Sequence, residues 1–487
     1  MDGLPTEILH YLCNFIPQRD LGRLRLTSSK YREFPIEHMI RHIHVICYLQ
    51  TWFRLRKIAN MELRIRQHVR SITFECDLVP EYRTREEWER NIHDESSRGP
   101  KPQMPPPHCS PQEKIAYQDA LANWTNQPRP QYSQEFLDRA WLRYRYVKQQ
   151  QEMFQTRSYF DYIQILYQLT SEFPLLQSCR AYWDHEQGQS EMWHRHFDQA
   201  MCRPDRNRRN VDPGDMLKVF LAGVANSQTQ LRSLSLTQFD WGNLIWDGRD
   251  FPAPAYATGR AVEHLHYLCL APLTEAVPAV NDRDPQRHVA DCNMYLRGGT
   301  LRLILQAARN LRDLRLQFRG YTDRLNPRDL GRPCYPARFT DLFGLDTTWD
   351  YIINLELHQI ETRQEEFLDF LRRHVRPLRS LHLKSLCLNY GTWPALFAEM
   401  RNGVGLNLSE ISLGGVFTSF EDYREWNLES DDLWDTEAPR RKRRLQHWVL
   451  GWEPEREAGD ETVASWENLF NWEEGKSIVQ DEVTGFD

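Results

Sequence analysis

The chain has 487 residues, of which 40% are hydrophobic and 26% charged. That length allows about two or three domains of ordinary size, or one elongated repeat domain. With 61 Lys and Arg against 68 Asp and Glu the net charge is −7, which argues against a dedicated nucleic-acid binder.

Ten cysteines stand singly, with no C-x-x-C spacing. Zinc ribbons, thioredoxin-like redox motifs and a dense disulfide framework are therefore not expected. The opening Met1-Asp2-Gly3-Leu4-Pro5-Thr6-Glu7 lacks the basic and apolar regions of a signal peptide. No apolar run approaches the ~18 residues of a membrane helix. The expectation is a soluble intracellular protein, cytoplasmic and/or nuclear, with no membrane partner. Only nine of the 61 cations are lysine, a skew that codon composition explains most simply.

From Leu4 to Ile16 the apolar residues Leu4, Ile8, Leu9, Leu12, Phe15 and Ile16 recur at helical spacing. Pro5 suits a first turn, where its missing N–H removes no bond, and Pro17 stops the helix. Asp20 is an N-cap candidate for a second helix carrying Leu21, Leu24 and Leu26, and Lys30-Tyr31-Arg32 begins a third short helical segment ending before Pro35. Three such helices bury too little surface to fold well alone, and their apolar stripes are wider than an internal core needs. The unit reads as a docking module.

Leu4-Pro5-Thr6-Glu7-Ile8-Leu9, followed by Asp20-Leu21-Gly22-Arg23-Leu24-Arg25-Leu26-Thr27-Ser28-Ser29-Lys30-Tyr31-Arg32, resembles an F-box, without gaps, over about the first forty residues. The resemblance implies a partner, the Skp adaptor of cullin–RING ubiquitin ligases, and through it the cullin. The matching adaptor-binding positions are Leu4, Pro5, Ile8, Leu9, Leu12, Leu21, Leu24, Leu26, Lys30 and Tyr31. Some of these leucines must instead hold the three helices together.

Beyond Pro35 the pattern alternates. Residues 42–48 and 69–74 read as strands, with a helix over 51–67 between them. Residues 96–134 are proline-dense and read as an exposed insertion, with a short helix at 115–124. Residues 135–176 are helical and aromatic-rich, and 183–215 read as a second polar insertion.

The template L-x-x-L-x-L then recurs at Leu231–Leu236, Leu311–Leu316 and Leu378–Leu383, and more loosely at Val262–Tyr267, Ile352–Leu357 and Leu408–Leu413, with helical stretches between several of them. Val69–Phe74 has the same form. The pattern resembles a degenerate leucine-rich repeat array in which each unit supplies one strand and one helix. The expected fold is α/β: an N-terminal three-helix F-box followed by an irregular leucine-rich-repeat-like solenoid. The segments run 1–40 (docking), 41–95 (first strand–helix units), 96–134 (insertion), 135–425 (helical segment and recognition region) and 426–487 (a basic, then acidic, Trp-containing tail). The order of parts resembles fungal F-box proteins.

In such an array the third and fifth template positions face outward. They are Ser71 and Thr73, Ser233 and Ser235, His264 and His266, Asp313 and Arg315, Asn354 and Glu356, Ser380 and His382, and Glu410 and Ser412. Small, polar and of mixed charge, they suit a protein client, and they would suit a solvated face equally.

Other patterns carry less. His38 and His42 have the i, i+4 spacing of a helical zinc pair but lack the glutamate a metalloprotease needs. His194 and His196 lie near acidic residues in a polar insertion. Gly403 and Gly405 lack the third glycine of a phosphate loop, and no G-x-S-x-G elbow occurs. No metal, cofactor or catalytic residue is expected. Arg440-Arg441-Lys442-Arg443-Arg444 reads as a nuclear-import signal, as a basic patch, or as the counterpart of the acidic tail. Two readings stay open for the whole: the substrate receptor of a Skp–cullin–F-box ligase, holding an unknown client, or an interaction scaffold whose F-box acts outside any ligase.

Overall fold

A computed structural model of the protein describes residues 5–27, 34–46, 48–92, 111–126, 132–155, 168, 172–182, 199–202, 220–244, 259–273, 285–318, 335–428, 438–450 and 476–477, apart from scattered positions within those spans. The fold is α/β with a large parallel sheet. No helix among the described residues is long and apolar enough to cross a membrane.

Among the described residues nine strands form one sheet in strict chain order. They are β1 (His42–Ile46), β2 (Ser71–Glu75), β3 (Ser178–Tyr182), β4 (Ser233–Asp240), β5 (Tyr267–Leu273), β6 (Asp313–Gln317), β8 (Asn354–His358), β10 (Ser380–Lys384) and β12 (Glu410–Gly414). Every neighbouring pair is parallel, and the first residues align across the sheet. Side chains alternate between the two faces, so the second and fourth residues of each strand share one face. Those positions hold Leu314 and Leu316, Leu355 and Leu357, and Leu381 and Leu383, all buried.

Helices cover that face. In Gln364–Arg373 the buried Phe367, Phe370 and Leu371 recur at helical spacing, and Glu365 and Glu366 complement the positive end of the dipole. Trp393–Asn402 opens with a Thr392 cap that accepts the Ala395 amide at 3.4 Å. At the far end Ala438–Val449 seats Leu445 and Val449 in the same core. The basic run therefore forms part of a helix docked on the last unit.

A second sheet was not legible from the template. It contains β7 (Ala337–Arg338), β9 (Ile360–Arg363), β11 (Cys387–Tyr390) and β13 (Val416–Ser419) in parallel, then β14 (Arg424–Asn427) and β15 (Lys476–Ser477) in antiparallel. The corner between the sheets repeats. Gln359, Ser385 and Gly415 each follow the last residue of a first-sheet strand and have φ of 53°, 51° and 69°. Gln238, six residues into β4, has φ 56° and marks a bulge there. A left-handed residue at one ladder position turns the chain out of the first sheet.

The N-terminal helices are Thr6–Cys13, Gln18–Thr27 and Phe34–Ile40. Asp20 lies inside the second helix and pairs with Arg23 at 3.1 Å, so it is not the cap. The third helix starts at Phe34 and keeps Pro35 in its first turn, where no backbone bond is lost. The expected helix over 51–67 is two, Leu49–Ala59 and Leu63–Arg66, with Leu63 exposed. The aromatic helix spans Gln134–Gln155, and β3 was not expected. A helix over Pro111–Asn126 lies in the proline-dense insertion.

Candidate functional site

Two surfaces concentrate the residues singled out in the sequence. The first is the N-terminal helical unit. Leu9, Cys13 and Leu21 point inward and are buried, so Leu9 and Leu21 hold the helices together. Outward stand Ile8 (44% exposed), Tyr11 (62%), Phe15 (68%) and Leu26 (87%). Ile8 and Tyr11 lie at i and i+3, on one side of the first helix, and Phe15 stands in the turn that follows it, its amide bonded to the Leu12 carbonyl at 3.0 Å. The rings of Tyr11 and Phe15 meet edge to face at 4.9 Å between centroids. Pro5 is exposed beside them, while Leu12 and Leu24 are half-buried. Leu4, Lys30 and Tyr31 lie outside the described residues. Tyr11 and Phe15 stand outside the expected adaptor-binding positions, which in this segment are aliphatic or proline.

This unit is fixed to the sheet. Arg41 alone separates Phe34–Ile40 from β1, and its carbonyl accepts the Arg70 and Ser71 amides at 2.9 and 3.1 Å. Glu37 pairs with His68 at 3.3 Å. The third helix is thereby held in a set orientation to the strands.

The second surface is the sheet face opposite the helices. First and third strand positions lie on it, among them Ser71, Thr73, Ser233, Ser235, Asp313, Arg315, Asn354, Glu356, Ser380, His382, Glu410 and Ser412, but Ser235 and Ser380 are buried there and offer no surface to a client. His264 and His266 are the exception. They precede β5, whose outward residues are Tyr267 and Cys269. The template there is Leu265-His266-Tyr267-Leu268-Cys269-Leu270, three residues later than expected, because Val262 closes a helical turn.

From β5 to β12 these side chains form two clusters, one across β5, β6 and β8 and one across β10 and β12. Arg315 bonds Asp313 at 3.0 and 3.3 Å, reaches Glu356 at 3.6 Å and lies 5.4 Å over the Tyr267 ring. Glu356 also accepts from Gln317 at 2.6 Å and meets His358 at 2.9 Å. Ser380 contacts His382 at 2.8 Å and donates to Glu410 at 3.2 Å. The Asp313 bond raises the Arg315 pKa above its ordinary value. Burial pushes the Glu356 carboxyl up, but His358, Gln317 and Arg315 outweigh it and leave it below the usual range. The first cluster is preorganised and polar, with carboxylates flanking a single guanidinium.

At the C-terminal ends of β1 to β3 the same face is covered, while His42 and Arg180 on it are exposed and Ser71 and Thr73 half-buried. Helices Arg85–Asn91 and Gln134–Gln155 build a second core there, with Trp88, Leu137, Tyr144 and Val147 packed on Ile46 at the end of β1. Tyr144 accepts the Tyr82 amide and donates to the Pro80 carbonyl, both at 2.9 Å, and burial pushes its phenol up to about 12. Beneath this core lies Glu75, fully buried, accepting from Tyr182 at 2.7 Å with His44 at 3.4 Å. No described residue bonds its other oxygen. The cover on this face is therefore confined to the C-terminal ends of β1 to β3.

Among the described residues no group of three or more His, Cys, Asp or Glu is placed to hold a metal ion. His42 bonds Ser71 at 2.6 Å, and His194 and His196 lie outside the described residues. Comparison of the chain with protein-family models and with curated proteins returns no match.

Proposed function

We propose that the protein is a substrate receptor of a Skp–cullin–F-box ubiquitin ligase: an F-box docking module joined to a leucine-rich-repeat-like solenoid that holds a protein client. The observation that carries this reading is the exposure of Ile8, Tyr11, Phe15 and Leu26 in the helical unit whose sequence resembles an F-box, with the Tyr11 and Phe15 rings in contact. Exposed apolar patches rimmed by polar residues mark interaction sites. Burial of such side chains against the adaptor contributes about 25 cal/mol per Å², offset by the entropy of association.

The solenoid reading draws support from the chain-ordered parallel strands, one covering helix in most units, and the repeated left-handed corner. The receptor itself performs no bond chemistry in this reading. It raises the effective concentration of a client beside the ubiquitin-charged enzyme, and the link between its third helix and the strands suits that task.

Co-expression with the Skp adaptor and its cullin tests the proposal. The wild-type chain should copurify with both, and the Ile8→Asp/Phe15→Asp variant with neither, while its thermal unfolding is unchanged. Adaptor capture without cullin would favour the scaffold reading. Undiminished capture by the variant would contradict both readings.

A further inference from the structure

The residue immediately before each first-sheet strand forms a line of its own. Its carbonyl accepts two amides from the next unit, so these residues stack from strand to strand: Arg41 takes Arg70 and Ser71, Arg232 takes His266 and Tyr267, and Arg312 takes Ile353 and Asn354, all at 2.7–3.1 Å. Five of these positions are arginine: Arg41, Arg70, Arg232, Arg312 and Arg379. His266 stands between Arg232 and Arg312.

We propose that this arginine line is a docking rail for an extended acidic segment of a partner protein. Among the described residues no carboxylate pairs with Arg70, Arg232, Arg312 or Arg379; the guanidinium bonds of Arg70 and Arg379 go to backbone carbonyls. Neighbouring carboxylates are engaged elsewhere, Asp313 by Arg315 and Glu410 by Ser380. Like charges at strand spacing repel, and their effect is felt: burial and then Arg41 lower the Arg70 pKa, and burial, Arg312 and Arg232 lower that of His266. A chain of net charge −7 thus carries, among the described residues, four arginines without a carboxylate partner along one rim of its sheet, spaced by Gln177, His266 and Ile353.

Length also fits a polypeptide. From β1 to β10 the line crosses eight strands in sheet order, whose seven spacings of ~4.8 Å make about 34 Å, the span of about ten extended residues. The acidic C-terminal tail is a poor occupant, because β15 anchors it on β14 in the second sheet, which continues from the opposite ends of β8, β10 and β12. The net negative charge disfavours nucleic acid. The rail rests on this geometry and stands whether or not the N-terminal helices bind the adaptor.

The test is fluorescence anisotropy of a labelled oligoglutamate peptide of about ten residues with the full chain, at low salt and at ~0.15 M. The wild-type chain should bind, more weakly at the higher salt. Arg232→Glu/Arg312→Glu should weaken binding at least about tenfold with its circular dichroism unchanged. The control Arg54→Glu/Arg56→Glu, on the exposed side of helix Leu49–Ala59, should bind as the wild type does. No binding by the wild type, whether the rail has no ligand or the chain's own tail fills it, overturns the proposal. So does an equal loss in the control, or tighter binding of a single-stranded oligonucleotide of equal charge.

Discussion

His374 Nε2 accepts the Trp349 amide at 3.0 Å, which fixes the ring as the neutral Nδ1–H tautomer, and Nδ1 donates to the Phe370 carbonyl at 2.7 Å. Burial lowers its pKa, with Arg373 adding to the shift and the Phe370 carbonyl and Asp350 opposing it. A histidine whose folded pKa is depressed supports the fold fully above its ordinary value of ~6.5 and loses that support as pH falls through the folded value. Urea unfolding should therefore show lower stability at pH 5.5 than at pH 7.5. His374→Gln should be less stable at pH 7.5 and show a shallower pH dependence; the residual slope belongs to His42 and His266, whose values are also lowered.

Gly415 and Gly405 both have φ of 69°, but they differ in surroundings. A Cβ at Gly415 would collide with Ser385 Oγ, whereas at Gly405 it would meet nothing within 4 Å. Gly405→Ala should cost about 1 kcal/mol, the backbone penalty alone. Gly415→Ala should cost at least about 1 kcal/mol more, read as the difference in urea unfolding free energies.

Tyr182 donates to the buried Glu75 at 2.7 Å. Burial, and then the Glu75 charge, raise its pKa above the ordinary tyrosine value, so it stays a donor. Tyr182→Phe should cost about 1–3 kcal/mol, the price of leaving a buried acceptor unmade. Thermal unfolding of the pair of proteins checks it.

β3 carries Cys179 and Ala181 where β6, β8 and β10 carry leucines, and both are buried. Ala181→Leu should destabilise by about 1–3 kcal/mol through overpacking, and Leu355→Ala by about 2–5 kcal/mol through the cavity it leaves. Denaturant titration of each separates the two signs of volume change from an exposed control such as Leu26→Ala.

The same comparison explains what was legible in advance. β4, β6 and β10 announce themselves because both inward positions are leucine, and the register of Asp313, Glu356 and His382 follows from the period of two. β3 hides because Cys179 and Ala181 break the leucine signature while still filling the core. β5 was read three residues early because Val262 imitates the first template leucine. The second sheet hides for another reason: its strands run only two to four residues, too short for alternation to register, and Gln359 and Ser385 turn the chain without a glycine. In the N-terminal helices Ile8 and Leu9 carry the same local signal. Only the packing of three helices separates the exposed side chain from the buried one.

The account rests most directly on the N-terminal patch. Titration of the full chain with purified Skp adaptor should show saturable one-to-one binding that Ile8→Asp/Phe15→Asp weakens at least about a hundredfold and that Leu355→Ala, in the sheet core, leaves unchanged under conditions where it is folded. Equal affinity of the patch variant and the wild type, or no saturable binding by the wild type, would contradict it.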